Sequence, residues 1–199
     1  MSKAFDLARE RDKKLEADEK DNKIQLSELN PGDAFKVEEY DFIVLEQENG
    51  TTKVISKDIM EENVCFDENT RDYNKSNLKK MIETDIQPII ENAVGGENLV
   101  EHTASLMAAD MQNEFGDLVC KIRPITFDEA RLYNNLLVNK NLNGWWWTCT
   151  PWSTEDRGWK FSIAVVAPSG SIDYDNYSRC SGVRPFCILK SKIFVSKGK

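Results

Sequence analysis

Apolar residues recur through the middle of the chain with the period of a helix. From Ser76, a natural N-cap, Leu78, Met81, Ile82, Ile86, Ile89, Ile90 and Val94 return at three- and four-residue intervals and so share one face. Pro88 is expected to kink or split this helix and Gly95-Gly96 to end it. A second helix is announced by Thr126-Phe127-Asp128-Glu129, the spacing of a capping box, with Ala130, Tyr133, Leu136 and Leu137 behind it. On the N-terminal side the pattern is that of strands. AFKV, DFIVLEQ and TTKVISKD alternate or run apolar, parted by the turn signals Asn30-Pro31-Gly32-Asp33 and Glu48-Asn49-Gly50. They predict a meander of two or three short antiparallel strands. On the C-terminal side, Pro151, Gly158, Pro168-Ser169-Gly170, Gly182 and Pro185 cut the chain into short pieces. There WKFSIAVVA and RPFCILKSKIFV are the strand candidates, with SIDYDNYSRCS as a polar loop between them. Glu97 to Ile125 reads as mixed loop and short strand. The class is α+β, with helices in the middle and strands at both ends.

Composition adds a division of the chain. Residues 2–23 are charge-rich, and Glu10–Lys14, Glu16–Lys20 and Glu19–Lys23 are favourable i,i+4 pairs. Too few apolar residues accompany them for a buried face. Residues 1–26 are therefore read as a charged helix or arm, a candidate for homo-oligomer contacts, and 27–199 as one α+β domain. Residues 143–199 hold eight basic and four acidic groups, whereas the first 142 hold 18 and 30, a net −12. So acidic a chain is a poor nucleic-acid binder, since phosphate neutralisation needs a dense basic footprint. No apolar run has the roughly 18 residues of a membrane span, and the first residues lack the apolar core of a secretory signal. Neither membrane insertion nor Sec-type export is expected. Five cysteines, an odd number without a C-x-x-C pair, point away from a disulfide framework or a zinc site and toward reduced, buried thiols.

The strongest local anomaly is aromatic. All five tryptophans, Trp145, Trp146, Trp147, Trp152 and Trp159, fall within fifteen residues. Trp-Trp-Trp-Thr-Cys-Thr-Pro-Trp-Ser (145–153), Ala-Pro-Ser-Gly (167–170) and Gly-Val-Arg-Pro-Phe (182–186), in that order, resemble a family of phage and prophage domains; PGDAFKV, DFIVLE and PITFDEARLY look like the same family. The resemblance spans residues 30 to 196. The C-terminal pattern in turn is similar to the C-type-lectin-like fold in its formylglycine-generating-enzyme form, which hypervariable phage receptor-binding proteins also use. It implies short antiparallel strands, two or three helices, and a loop-rich, ligand-facing part over 143–196, with the Gly-Val-Arg motif on a central strand.

Candidate chemistry is sparse. The formylglycine-type enzymes use a cysteine pair near that strand, but the nearest thiols here, Cys180 and Cys187, are offset from it, and Cys187 lies in an apolar run. There is no phosphate loop, G-x-S-x-G or H-E-x-x-H, and the single histidine, His102, reads as a surface or capping residue. No catalytic residue, metal or cofactor is expected; Asp173 and Asp175 are weak calcium candidates that lack companion oxygen ligands. Binding is better served. PWSTEDRGW and SIDYDNYSR mix rings with small polar groups in the manner of adaptable paratopes. The expected ligand residues are Trp152, Arg157, Trp159, Tyr174, Asn176, Tyr177 and Arg179. The expected structural residues are Trp145, Trp147, Gly182, Arg184 and Phe186. The function expected is non-catalytic recognition by a virion-associated protein of a protein or carbohydrate ligand on the bacterial surface, beside other phage proteins. The rival is an intracellular phage protein, in the host cytoplasm, that blocks a host protein. A formylglycine-type oxidase comes third.

Overall fold

The computed structural model describes residues 23–198. Most of the charged arm expected over 1–26 therefore lies outside the described residues. The described residues form strands β1 (Lys23–Gln25), β2 (Ala34–Val37), β3 (Tyr40–Glu48), β4 (Thr51–Ser56), β5 (Glu61–Cys65), β6 (His102–Ser105), β7 (Asp117–Cys120), β8 (Ile122–Pro124), β9 (Trp146–Pro151), β10 (Ser162–Val166), β11 (Ile172–Asn176), β12 (Cys180–Val183), β13 (Pro185–Lys190) and β14 (Phe194–Lys197). Helices are short: α1 (Asn77–Met81), a π turn (Ile82–Ile86), α2 (Gln87–Val94), α3 (Phe127–Leu132) and α4 (Asn134–Leu137). The class is α+β with mostly antiparallel pairing.

Local signals act where the sequence placed them. Ser76 accepts from Lys79 N at 3.1 Å, and Gly95 at φ 81° ends α2. Thr126 and Glu129 close a capping box on α3. Asn49 and Gly50, at φ 50° and 78°, supply the two left-handed residues of the β3–β4 hairpin. Pro88 acts earlier than expected. Its missing N–H and bulky ring cannot be accommodated by a regular turn, and the winding loosens over Ile82–Ile86 just before it. Leu78, Ile82, Ile86 and Ile90 nevertheless stay on one buried stripe.

Seven strands pair antiparallel in the order β1-β14-β2-β3-β4-β13-β8. Five more run β11-β10-β9-β12-β5, with β9 and β12 parallel, and β6–β7 form a separate ribbon. Only Arg184 separates β12 from β13, so one stretch of chain enters both large sheets. Two apolar clusters result: a larger one around Phe66, Trp147 and the helical stripe, and a smaller one around Trp146, Phe186, Ile55 and Leu137.

Several expectations are corrected. Residues 23–25 are not part of an arm: β1 pairs with β14, so the structured domain begins before residue 27, and Lys23 cannot serve a helical pair with Glu19. SIDYDNYSRCS is not a loop, because its first half is β11, hydrogen-bonded along all of β10 from Ser162↔Asn176 to Val166↔Ile172. As a sheet edge with a solvated face, it needs no apolar alternation. RPFCILKSKIFV divides at Ser191-Lys192 into β13 and β14. The thiols are not all reduced: Cys65 and Cys180, directly opposed across β5 and β12 and 115 residues apart, form a disulfide, while Cys120, Cys149 and Cys187 are free and buried.

Candidate functional site

The aromatic face is assembled by three segments that only tertiary structure brings together. Trp152 leaves β9 with its N–H on Ser162 O at 2.9 Å. A 3-10 turn, Glu155–Arg157, ends at Gly158 in the left-handed region, and Trp159 returns with its N–H on Thr154 O at 3.1 Å. The β10–β11 hairpin then carries Tyr174 across. The ring centroids lie 6.3 Å apart for Trp152–Trp159, 5.2 Å for Trp152–Tyr174 and 4.8 Å for Trp159–Tyr174. These are the tilted and edge contacts that ring quadrupoles favour. Phe127, at the start of α3, packs edge-on against Trp152 at 6.2 Å, and the Arg131 guanidinium lies over the Phe127 ring at 5.3 Å. Sequence reasoning missed Phe127, which stood out only as part of a capping box. Tyr174 stays 45% exposed and both tryptophans are partly exposed, so the cluster presents rings to solvent.

The other predicted ligand residues do different work. Arg157 bonds Asp110 Oδ2 at 2.7 Å, and Ser153 Oγ donates to the same oxygen at 2.6 Å. These two donors, Ser153 first, hold the Asp110 carboxyl below its usual value. Arg71 reaches from the far side to Ser153 O and to Glu114. The loop before β7 is thus clamped to the loop after β9, and Arg157 is a clamp residue at the rim. Tyr177 is a correction: it is 7% exposed and belongs to the core, against Phe161 at 5.8 Å. Asn176 spends its side-chain oxygen on Ser178 N and Oγ, both at 2.9 Å, which fixes the turn after β11. Arg179 is exposed and pairs loosely with Asp175 at 3.5 Å.

Among the expected structural residues, Trp147 is fully buried and its Nε1 donates to Val64 O at 2.7 Å; Trp146, which that set did not include, is fully buried on the opposite side of β9. Trp145 is the correction. It stands just before the strand and is 41% exposed. Gly182 sits against Ile59, whose Cδ1 lies 2.6 Å from where a Cβ would stand. Arg184 is buried, donating from Nε to Ser56 O at 3.0 Å and from Nη1 to Leu137 O at 3.2 Å, with its guanidinium 4.7 Å from the Trp146 ring. Burial pushes it down to about 10, with Asp58 opposing. Phe186 carries a second buried cation, Arg123, at 4.4 Å.

Reactive groups are held neutral. Burial raises Cys149 to about 12 and Cys120 to about 11, and drives Cys187 higher still. His102 is half-buried rather than a surface or capping residue. It faces Cys120 across β6–β7, with Sγ 4.0 Å from Nε2. Burial lowers its pKa while raising that of the thiol, the reverse of an activated thiolate–imidazolium pair. Cys180 and Cys187 are not a pair, because Cys180 is bonded to Cys65. No cluster of three or more His, Cys, Asp or Glu among the described residues, Asp173 and Asp175 included, is placed to hold a metal. No helix among the described residues is long and apolar enough to cross a membrane. No protein-family model matches the chain, and neither a curated protein nor a solved structure matches it.

Proposed function

We propose that this protein acts by non-covalent recognition through the Trp152–Trp159–Tyr174 face, within a C-type-lectin-like domain of a phage or prophage virion protein that contacts the bacterial surface. The carrying observation is the solvent-facing packed ring cluster. Large rings cost little conformational entropy to order and supply much of the energy at binding surfaces. The rings rest on β9–β11 and on the Asp110 clamp, so the surface is preorganised. The lectin-like reading is supported by Gly182-Val183, which close β12, a strand flanked on both sides in its sheet, with Arg184 directly after it. The virion placement rests on the sequence resemblance. It is favoured over a cytoplasmic inhibitor by the Cys65–Cys180 bond, since disulfides persist in oxidising settings such as virion surfaces.

Two measurements test this. Mass spectrometry of purified particles should detect the chain, and its absence there sinks the virion placement. Labelled protein should bind host cells, and Trp152→Ala and Tyr174→Ala should each weaken that binding by roughly tenfold or more. Unchanged binding by folded variants would move the site elsewhere.

A further inference from the structure

A second site lies apart from the aromatic face. Side chains alternate along β11, so Tyr174 points to the rings and Asp175 to the other side. There a cavity of about 220 Å³ opens, lined among others by Trp145, Glu62, Asn63, Asn143, Asp175 and Ile59. It is smaller than the roughly 300–1,000 Å³ of sites for drug-sized molecules and suits a single side chain or headgroup. Two carboxylates line it and no lysine or arginine does. Glu62 forms no salt bridge among the described residues. Asp175 accepts from the Asn176 backbone N–H at 2.7 Å, and its one cationic partner is Arg179 at 3.5 Å, whose side chain is 75% exposed. Exposed pairs of this kind contribute little. Trp145 has no aromatic ring packed on it among the described residues, although its carbonyl is fixed by Gly182 N at 2.8 Å. The walls are held in place as well: the Cys65–Cys180 bond ties β5, which carries Glu62, to β12.

We propose that this cavity binds a compact organic cation, with the ammonium group seated against the Trp145 ring and neutralised by Glu62 and Asp175. Aromatic faces attract cations through their quadrupole, and adjoining carboxylates add charge in a partly desolvated space. The Asn63 and Asn143 amides offer oxygen acceptors to N–H groups. This inference does not depend on the function proposed for the other face.

The test uses the purified, disulfide-intact protein and three probes: choline, n-butylammonium and 3,3-dimethylbutan-1-ol, the neutral isostere of choline. The Trp145 indole N–H resonance is followed in each titration. At least one ammonium probe should produce a saturable shift, the response to choline or to butylammonium distinguishing a quaternary from a primary amine. The neutral alcohol should produce none. Glu62→Gln, a change on an exposed strand position, should weaken the binding by roughly tenfold. Trp152→Ala should leave it unchanged. The proposal is overturned if neither cation gives a saturable shift, if the alcohol binds as tightly, or if folded Glu62→Gln retains full affinity.

Discussion

Removing the Glu129 carboxylate would strip four hydrogen bonds at once. It accepts from both terminal guanidinium nitrogens of buried Arg123 at 2.6 and 2.7 Å, and from the backbone N–H and the hydroxyl of Thr126, each at 2.9 Å. Glu129→Ala leaves the Arg123 charge uncompensated, and we expect a loss of about 3–5 kcal/mol, read from the urea midpoint. The pair also titrates. Burial raises the Glu129 carboxyl, but Arg123 and the Thr126 cap outweigh it and leave the folded value below the ordinary 4.5. A depressed carboxylate contributes stability that is present above the unfolded pKa and is lost as pH falls through the folded one. Stability should therefore decline as the pH drops below about 4.5, and Glu129→Gln should show less of that decline; equal acid sensitivity would assign it to other carboxylates. At the same scale, Trp145 and Trp147 part company: one lines a cavity, while the other donates to Val64 O in the core. Both are equally apolar, and the difference is whether the residue falls inside β9.

At the scale of elements, the β12–β13 stretch governs the architecture. It enters both large sheets with Arg184 at the crossing, and Pro185, lacking an N–H, begins the second strand. Gly182→Ala would drive a methyl into Ile59, so overpacking should cost about 1–3 kcal/mol. A melting temperature equal to that of the parent would refute the contact. The Cys65–Cys180 bond closes a long loop between β5 and β12. Its loss in Cys180→Ser should lower the unfolding free energy by about 2–4 kcal/mol. Denatured, unreduced protein should titrate three thiols, rising to five after reduction; five before reduction would remove the bond. The 77–94 segment shows the opposite balance. Its apolar stripe was plain from spacing, but where Pro88 would disturb the winding depended on how the neighbouring turns could loosen around it.

For the whole molecule, the shared strand predicts cooperative unfolding. The five tryptophans lie on or beside the five-stranded sheet, so their fluorescence reports that sheet, while far-UV dichroism reports both. The two denaturation curves should coincide; separate midpoints would mean that the sheets unfold independently. The acidic excess sits in the chain before residue 143, yet Asp175 from the more basic C-terminal part joins Glu62 at one cavity. Local chemistry was legible in the sequence by itself: the α+β class, the Asn49-Gly50 hairpin, the Ser76 and Thr126 caps, the Gly95 stop and the crowding of tryptophan. Each is settled by backbone angles and hydrogen bonds within a few residues, or by composition. Only the tertiary structure decided that β11 is a strand, that Cys65 meets Cys180, that Tyr177 is core, and that Trp145 is exposed while Phe127 joins Trp152. β11 pairs with its neighbour β10, but as a polar edge strand it carries no apolar alternation to announce it. The other outcomes depend on which separated segments become neighbours, up to the 115 residues between Cys65 and Cys180, and such meetings leave no spacing in the chain from which to read them.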